Sequence, residues 1–434
     1  MVLRSKHKNK LLYSFLFLLM CIGMVFTDLP IYNFTVAHSL MIFIAPLVFM
    51  FILIINNFKI PLTKNLKFFA LYITITFSFS LLLLVFLILT KGGDFFIYNK
   101  DLLVKDFEAF ISFSLLHFIV YFCLIWISIN LSLPTLIKFI YFIFIFLTLA
   151  GFAEYLNPQI LNMFHSFPVY YTRLRLFTPE PSQAILLYTI FGLFSLYFAK
   201  SVYSKILILI PFSIIFILIG SKGGFIVMFL ISIVLFFKKL HNVKYLFIFL
   251  IILLTTTYFF FKFVIPSLQI DIKYFTSFAT RSSSLISLII ILFTHPFGLG
   301  YGSYLAYYPK ILNQSYEIAN NLFTNLFGIP LSYNEIFNMV STGEYLGAKG
   351  GIPQSIVFNG WFAVVFWLLI FRNCMNYIKK LINNPSKIIL EFLVFFIFIQ
   401  LLIDSDLALM YAIWLPIGFI EALYYKQQTG GYTE

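Results

Sequence analysis

Apolar residues fill this chain in long unbroken runs that recur from one end to the other. LLYSFLFLLMCIGMVF at 11–26 is the first, and FFALYITITFSFSLLLLVFLILT at 68–90 is among the longest. A barrel strand would alternate apolar and polar residues over about ten positions, and these runs do not alternate. A helix crossing hydrocarbon satisfies its own backbone hydrogen bonds, so continuous runs of about 16 to 23 residues predict spanning helices. The pattern places spans at 11–26, 37–56, 68–90, 109–130, 137–153, 184–199, 206–219, 225–237, 245–264, 355–371, 388–403 and 408–425. The expected fold is thus an all-α polytopic membrane protein of about twelve transmembrane helices, forming one membrane domain over 1–434.

On the side opposite the basic N-terminus three connections stand out by length: 91–108, 154–183 and 265–354. The last holds roughly ninety residues, and long structureless loops are rare, so it is expected to be folded and functional. Inside it, SSSLISLIIILFTH at 282–295 is short for a span and suits an interfacial or re-entrant segment. No internal repeat relates the two halves of the chain, as many secondary transporters would show.

Composition agrees with the pattern. Of 434 residues, 62% are hydrophobic and only 10% are charged, too little polar surface for a soluble domain. The net charge of +13 reads as topology. With the N-terminus inside, the segments assigned to the cytoplasm carry 18 of the 29 Lys and Arg residues and almost no acids. That bias follows the positive-inside rule and excludes a nucleic-acid surface. The basic start MVLRSKHKNK leads into the first run without a small-residue cleavage site, so a retained helix is expected. Cys21, Cys123 and Cys374 give neither a disulfide framework nor metal-ligand spacing.

With so few charges, those at the predicted outer side stand out. RLRLFTPEPSQA at 173–184 sets Arg173, Arg175 and Glu180 at the mouth of a span. Arginines there can anchor to headgroups, and Glu180 before Pro181 suits a helix start. Alternatively, the guanidinium groups bind a diphosphate and the carboxylate accepts a proton. GSKGG at 220–224 joins two runs through one lysine, Lys222. That lysine either snorkels to the interface or serves function. Arg281 is followed by HPFGLGYG at 295–302, where Gly298, Gly300, Tyr301 and Gly302 form a glycine-rich turn. Such a turn either closes a helix or lets backbone N–H groups approach a ligand. His295 is a possible general base, although a histidine before proline is more often structural. His38 and His117 fit helix packing, Asp404 and Asp406 fit a short outer turn, and the charges of 91–108 fit a solvated face.

Together these sites resemble the O-antigen polymerase and O-antigen ligase superfamily. The shared features are an arginine-rich outer loop ending in EPS at 180–182, the hairpin SKGG at 221–224, and Arg281 followed by HPFGLGYG. A long outer loop between the ninth and tenth spans and QSIVFNGWFAVVFW at 354–367 also match the superfamily. Two departures matter. The hairpin cation is lysine where the family usually has arginine, and the second half of the long loop (ANNLFTNLFG, 319–328) lacks the ligase branch's histidine.

The resemblance implies a polymerase in the bacterial inner membrane, with both termini cytoplasmic. It would move a growing glycan from undecaprenyl diphosphate onto a fresh lipid-linked repeat unit at the periplasmic face. The implied partners are undecaprenyl-diphosphate-linked oligosaccharides, membrane lipids and a chain-length-determining co-polymerase, with no nucleic acid, cofactor or metal. Glu180, Arg281 and His295 would be catalytic. Arg173, Arg175, Ser182, Lys222, Gly298, Gly300 and Tyr301 would bind substrate. The competing readings are an O-antigen ligase and a flippase for lipid-linked oligosaccharides.

Overall fold

The computed structural model describes residues 10–31, 39–58, 62–167, 173–237, 276–381 and 386–428. The described part is helical apart from a two-stranded hairpin, Phe96–Ile97 with Lys100–Asp101. Its helices are α1 (Lys10–Val25), α2 (Met41–Ile55), α3 (Lys64–Thr90), α4 (Leu102–Phe110), α5 (Leu116–Asn130), α6 (Leu133–Leu156), α7 (Pro181–Phe198), α8 (Val202–Ile219) and α9 (Lys222–Phe237). After the undescribed stretch come α10 (Thr276–Thr294), α11 (Tyr304–Phe327), α12 (Asn334–Thr342), α13 (Gly351–Asn359), α14 (Trp361–Lys380), α15 (Lys387–Ile403) and α16 (Trp414–Gln428).

Among the described residues six helical stretches are long and apolar enough to cross a membrane: 64–90, 102–130, 133–156, 181–198, 202–219 and 361–380. Shorter apolar helices cover 10–25, 41–55, 222–234 and 278–294. This is an all-α membrane protein. The expected span at 245–264, and His38, lie outside the described residues.

Helix α7 is the central one. Pro181 occupies its first turn, where the missing N–H is no loss. Its residues 181–195 are all buried, and it packs against α6, α8, α9 and α15. Helices on the outside, such as α3 and α8, expose Leu82, Phe86, Leu89, Leu207 and Ile217, as a lipid-facing surface should.

Polar side chains collect at the helix ends. At one end Glu421 accepts hydrogen bonds from Tyr121 and from Asn65 (3.0 Å), while Asn373 donates to Asn65 (2.6 Å) and Lys426 to the Leu131 carbonyl (3.1 Å). At the other, Asp28 holds His165 (2.8 Å) and Ser166, and the Thr27 N–H donates to the Phe177 carbonyl (3.2 Å).

Several boundaries differ from the sequence pattern. The fourth run begins at Leu102, and a π-turn at Ile111–Leu115 carries α4 into α5 without a break in the helix. Asp106, expected in a solvated loop, is buried instead; its Oδ1 accepts from Ser80 Oγ (2.5 Å) and Gly302 N (2.8 Å). The expected tenth span, 355–371, is two helices broken at Gly360. A side chain at Gly360 would fall on the Pro296 carbonyl, and its φ of +54° favours glycine. The last run starts later than expected, because two 3₁₀ turns, Leu407–Leu409 and Tyr411–Ile413, precede α16. The described part of the long loop, 276–354, folds as the pair α10 and α11 followed by α12, with α13 starting at Gly351. The segment 282–295 lies largely within α10.

Candidate functional site

Four segments far apart in sequence meet where α8, α10 and α15 begin or end. Helix α8 stops at Gly220, which has φ of +61°. Ser221 then caps α9, accepting the Gly224 N–H on its hydroxyl (3.3 Å). Arg173 folds over this turn and donates from Nη1 to the Gly220 carbonyl (3.4 Å). Its side chain passes so close that a Cβ on Gly220 would lie 3.3 Å from Arg173 Cδ.

Helix α15 ends at Asp404, which is nearly buried. Arg281 reaches it from the first turns of α10, with Nη2 2.5 Å from Asp404 Oδ1. The other carboxylate oxygen faces the hairpin, because a Cβ on Gly223 would come within 2.6 Å of Asp404 Oδ2. The glycine after Lys222 therefore makes room for the acid that pairs with Arg281. Ser405 completes the junction: its hydroxyl donates to the Ser182 carbonyl (3.2 Å) and its carbonyl accepts from Gly351 N (2.8 Å). Gln400 donates to the same Ser182 carbonyl (3.4 Å).

Glu180 precedes α7 in extended conformation, and its carbonyl accepts from Gln183 and Ala184 (3.1 Å each). Its carboxylate accepts from Ser182 Oγ (3.3 Å) and stays exposed. Arg173 is exposed, Lys222 is half-buried, and the Arg281 side chain is 38% exposed. The result is an ion-pair site at the end of α15, with Asp404 between Arg281 and the turn that carries Lys222, while Glu180 joins it through Ser182, whose carbonyl accepts from Ser405. Arg281 spends one nitrogen on Asp404 and keeps further N–H donors for an anion.

Not every expected residue joins this cluster. Arg175 is turned inward: its guanidinium donates to the Phe167 carbonyl (2.9 Å) and to Asn162 (3.5 Å). Glu154, at the end of α6, accepts the N–H groups of Arg175 (3.0 Å) and Leu176 (2.9 Å), which fixes the turn. Leu176 sits at φ of +53° within it. Arg175 thereby shapes the loop from which Arg173 projects.

The glycine turn is a separate structure. Leu299 N and Gly300 N donate to the carbonyls of Val357 (2.8 Å) and Phe358 (2.9 Å), and Tyr301 N donates to Ser80 (2.6 Å). The Tyr301 hydroxyl is buried against Ser114 (2.6 Å) and accepts from Asn359 (3.0 Å). A Cβ on Gly298 would collide with the Phe358 carbonyl. These N–H groups lock the turn to α13 and α3, so they are not turned to a ligand. His295 stands at the far end of α10, about 21 Å from Arg281 along the helix. Its Nδ1 lies 2.8 Å from Thr294 Oγ1, and burial lowers its imidazole below the usual range.

Two further groups were not singled out as functional from sequence. Asp404 follows an apolar run, which signals only a helix end. His165 pairs with Asp28 across 137 positions, and nothing local announces that contact. No group of three or more His, Cys, Asp or Glu side chains suited to a metal occurs among the described residues. No family model matches the chain, and no curated protein shows a significant match to it.

Proposed function

We propose that the site of Arg173, Lys222, Arg281, Asp404 and Glu180 binds the diphosphate of a polyprenyl-linked glycan, and that the protein polymerises surface polysaccharide there. The observation that carries the reading is a run of contacts: Arg173 lies on the Gly220 carbonyl, Gly223 of the same turn packs on Asp404, and Arg281 pairs with Asp404. Three cations drawn from separate segments to one helix-end site suit a ligand with two phosphate groups.

In the proposed step the acceptor sugar's hydroxyl oxygen attacks the anomeric carbon of the donor glycan. The bond from that carbon to the diphosphate oxygen breaks, and its electron pair leaves with the lipid diphosphate. The hydroxyl proton passes to Glu180, the exposed carboxylate at the edge of the site. Arg173, Lys222 and Arg281 stabilise the charge that grows on the leaving group, where fixed cations contribute most. Asp404 holds Arg281 in position. The proposal includes about twelve spans, the long loop between the ninth and tenth on the periplasmic face, an inner-membrane location and cytoplasmic termini.

The test is a surface-polysaccharide gel from the host with the gene deleted and then restored. A lipid core bearing one repeat unit and no ladder is the expected result. Bare core with long polymer left on the lipid carrier indicates a ligase, and single units trapped inside the cell indicate a flippase. Restoration with Arg281→Lys should reduce polymer by roughly 10²-fold, since the fork that serves both Asp404 and a phosphate is lost. A normal ladder at normal protein level would refute the assignment of Arg281.

A further inference from the structure

Arg281 heads a row on α10. Leu285, Ile289 and Phe293 follow it at steps of four, which makes them one ridge of the helix. Exposure grows along the ridge, from 43% at Leu285 to 59% at Ile289 and 82% at Phe293. The opposite side of α10 is packed: Ser283, Ser284, Ser287 and Ile291 are buried, and α10 lies against α11 and α13.

The ridge leads to a lipid-type surface. Just beyond it, Phe297 lies beside Phe79 of α3 (5.0 Å) and Phe362 of α14 (5.7 Å), and the Trp361 indole donates to the Leu292 carbonyl (3.1 Å). Trp361, Val365 and Leu368 then continue as an exposed row on α14, one of the helices long and apolar enough to span a membrane. The row thus has a guanidinium at one end and a spanning helix's apolar face at the other. Arg281 to Phe293 covers about 18 Å of helix.

We infer that this ridge seats the isoprenoid tail of the lipid diphosphate whose head rests on Arg281. The inference rests on the lipid-diphosphate reading of the site. A phosphate beside Arg281 and a hydrocarbon chain laid over Leu285, Ile289 and Phe293 match the polarity of such a lipid from head to tail. Burial of the tail on this ridge adds affinity in proportion to the apolar area covered. The ridge also sets the direction in which the lipid leaves, toward α14 and the bilayer.

The test uses the full chain in phosphatidylcholine nanodiscs and undecaprenyl diphosphate bearing a diazirine on its first isoprene units. Photolabelling should map to Leu285, Ile289 or Phe293. Excess unlabelled undecaprenyl diphosphate should abolish it, and phosphatidylglycerol should not. Phe293→Ser should weaken binding by roughly tenfold and Phe293→Leu hardly at all. Labels confined to other surfaces, or equal competition by phosphatidylglycerol, would overturn the inference. The polymerase reading stands or falls separately: labelling of this ridge with an unaltered ladder in Arg281→Lys would keep the tail seat and sink the catalytic assignment.

Discussion

Two arginines two positions apart in the sequence end in opposite situations. Arg173 lies exposed over the Gly220 turn, while Arg175 is buried on the Phe167 carbonyl and Asn162. Their substitutions should therefore fail differently. Arg175→Gln leaves a buried acceptor unpaired and should cost about 1–3 kcal/mol of stability. Polymer per folded molecule should stay near normal, as thermal-shift measurement and a ladder scaled to protein level would show. Asp404→Asn keeps the shape but removes the charge opposite Arg281. If Arg281 holds the leaving group as proposed, the substitution should cut polymer by about tenfold or more with little loss of yield, because guanidinium position would matter more to that step than to the fold. A full ladder from Asp404→Asn would mean that the ion pair is only a helix-end contact.

At the scale of elements, the junction of α13, α14 and the glycine turn governs how the outer helices sit. Gly360 and Gly298 both have positive φ and both lie on a neighbouring backbone. Gly360→Ala must strain the chain and displace the Pro296 carbonyl, at a cost on the order of 1–3 kcal/mol or more. The expected reading is a melting temperature lowered by several degrees and weaker protection of α10 in hydrogen exchange. An unchanged melting curve would show that the junction yields easily. His295 adjoins this junction and lies far from Arg281, so His295→Ala should keep its ladder. Loss of polymer in a stably folded His295→Ala protein would restore histidine to the catalytic step.

Across the whole molecule, charge and position divide the chain into two ends. The Lys-rich segments around Lys64, Lys200 and Lys380 belong to one end by their order along the helices, and Arg173, Lys222 and Arg281 to the other. The three native cysteines are buried, so added ones can be read against a low background. If the proposed inner-membrane topology holds, then in cells stripped of their outer membrane Arg173→Cys should react with an impermeant maleimide and Lys200→Cys only after permeabilisation. The reverse result would invert the topology and place the site on the cytoplasmic side.

What the sequence determined by itself is what local pattern controls. Long apolar runs admit only helices in hydrocarbon, so α1 to α3 and α5 to α8 lie near their predicted places, and Gly220 and Pro181 mark helix ends through backbone restrictions carried by single residues. Arg173, Lys222 and Arg281 stand out in the sequence for a related reason: a charge beside an apolar run is costly unless it is paired or serves function. Tertiary structure decided the pairings. Nothing near Asp404 in sequence indicates Arg281, and the serine, aspartate and carbonyls that occupy the glycine turn come from α3, α4 and α13. Those contacts depend on which helices become neighbours, and that follows from the packing of the whole bundle rather than from the residues on either side of a motif.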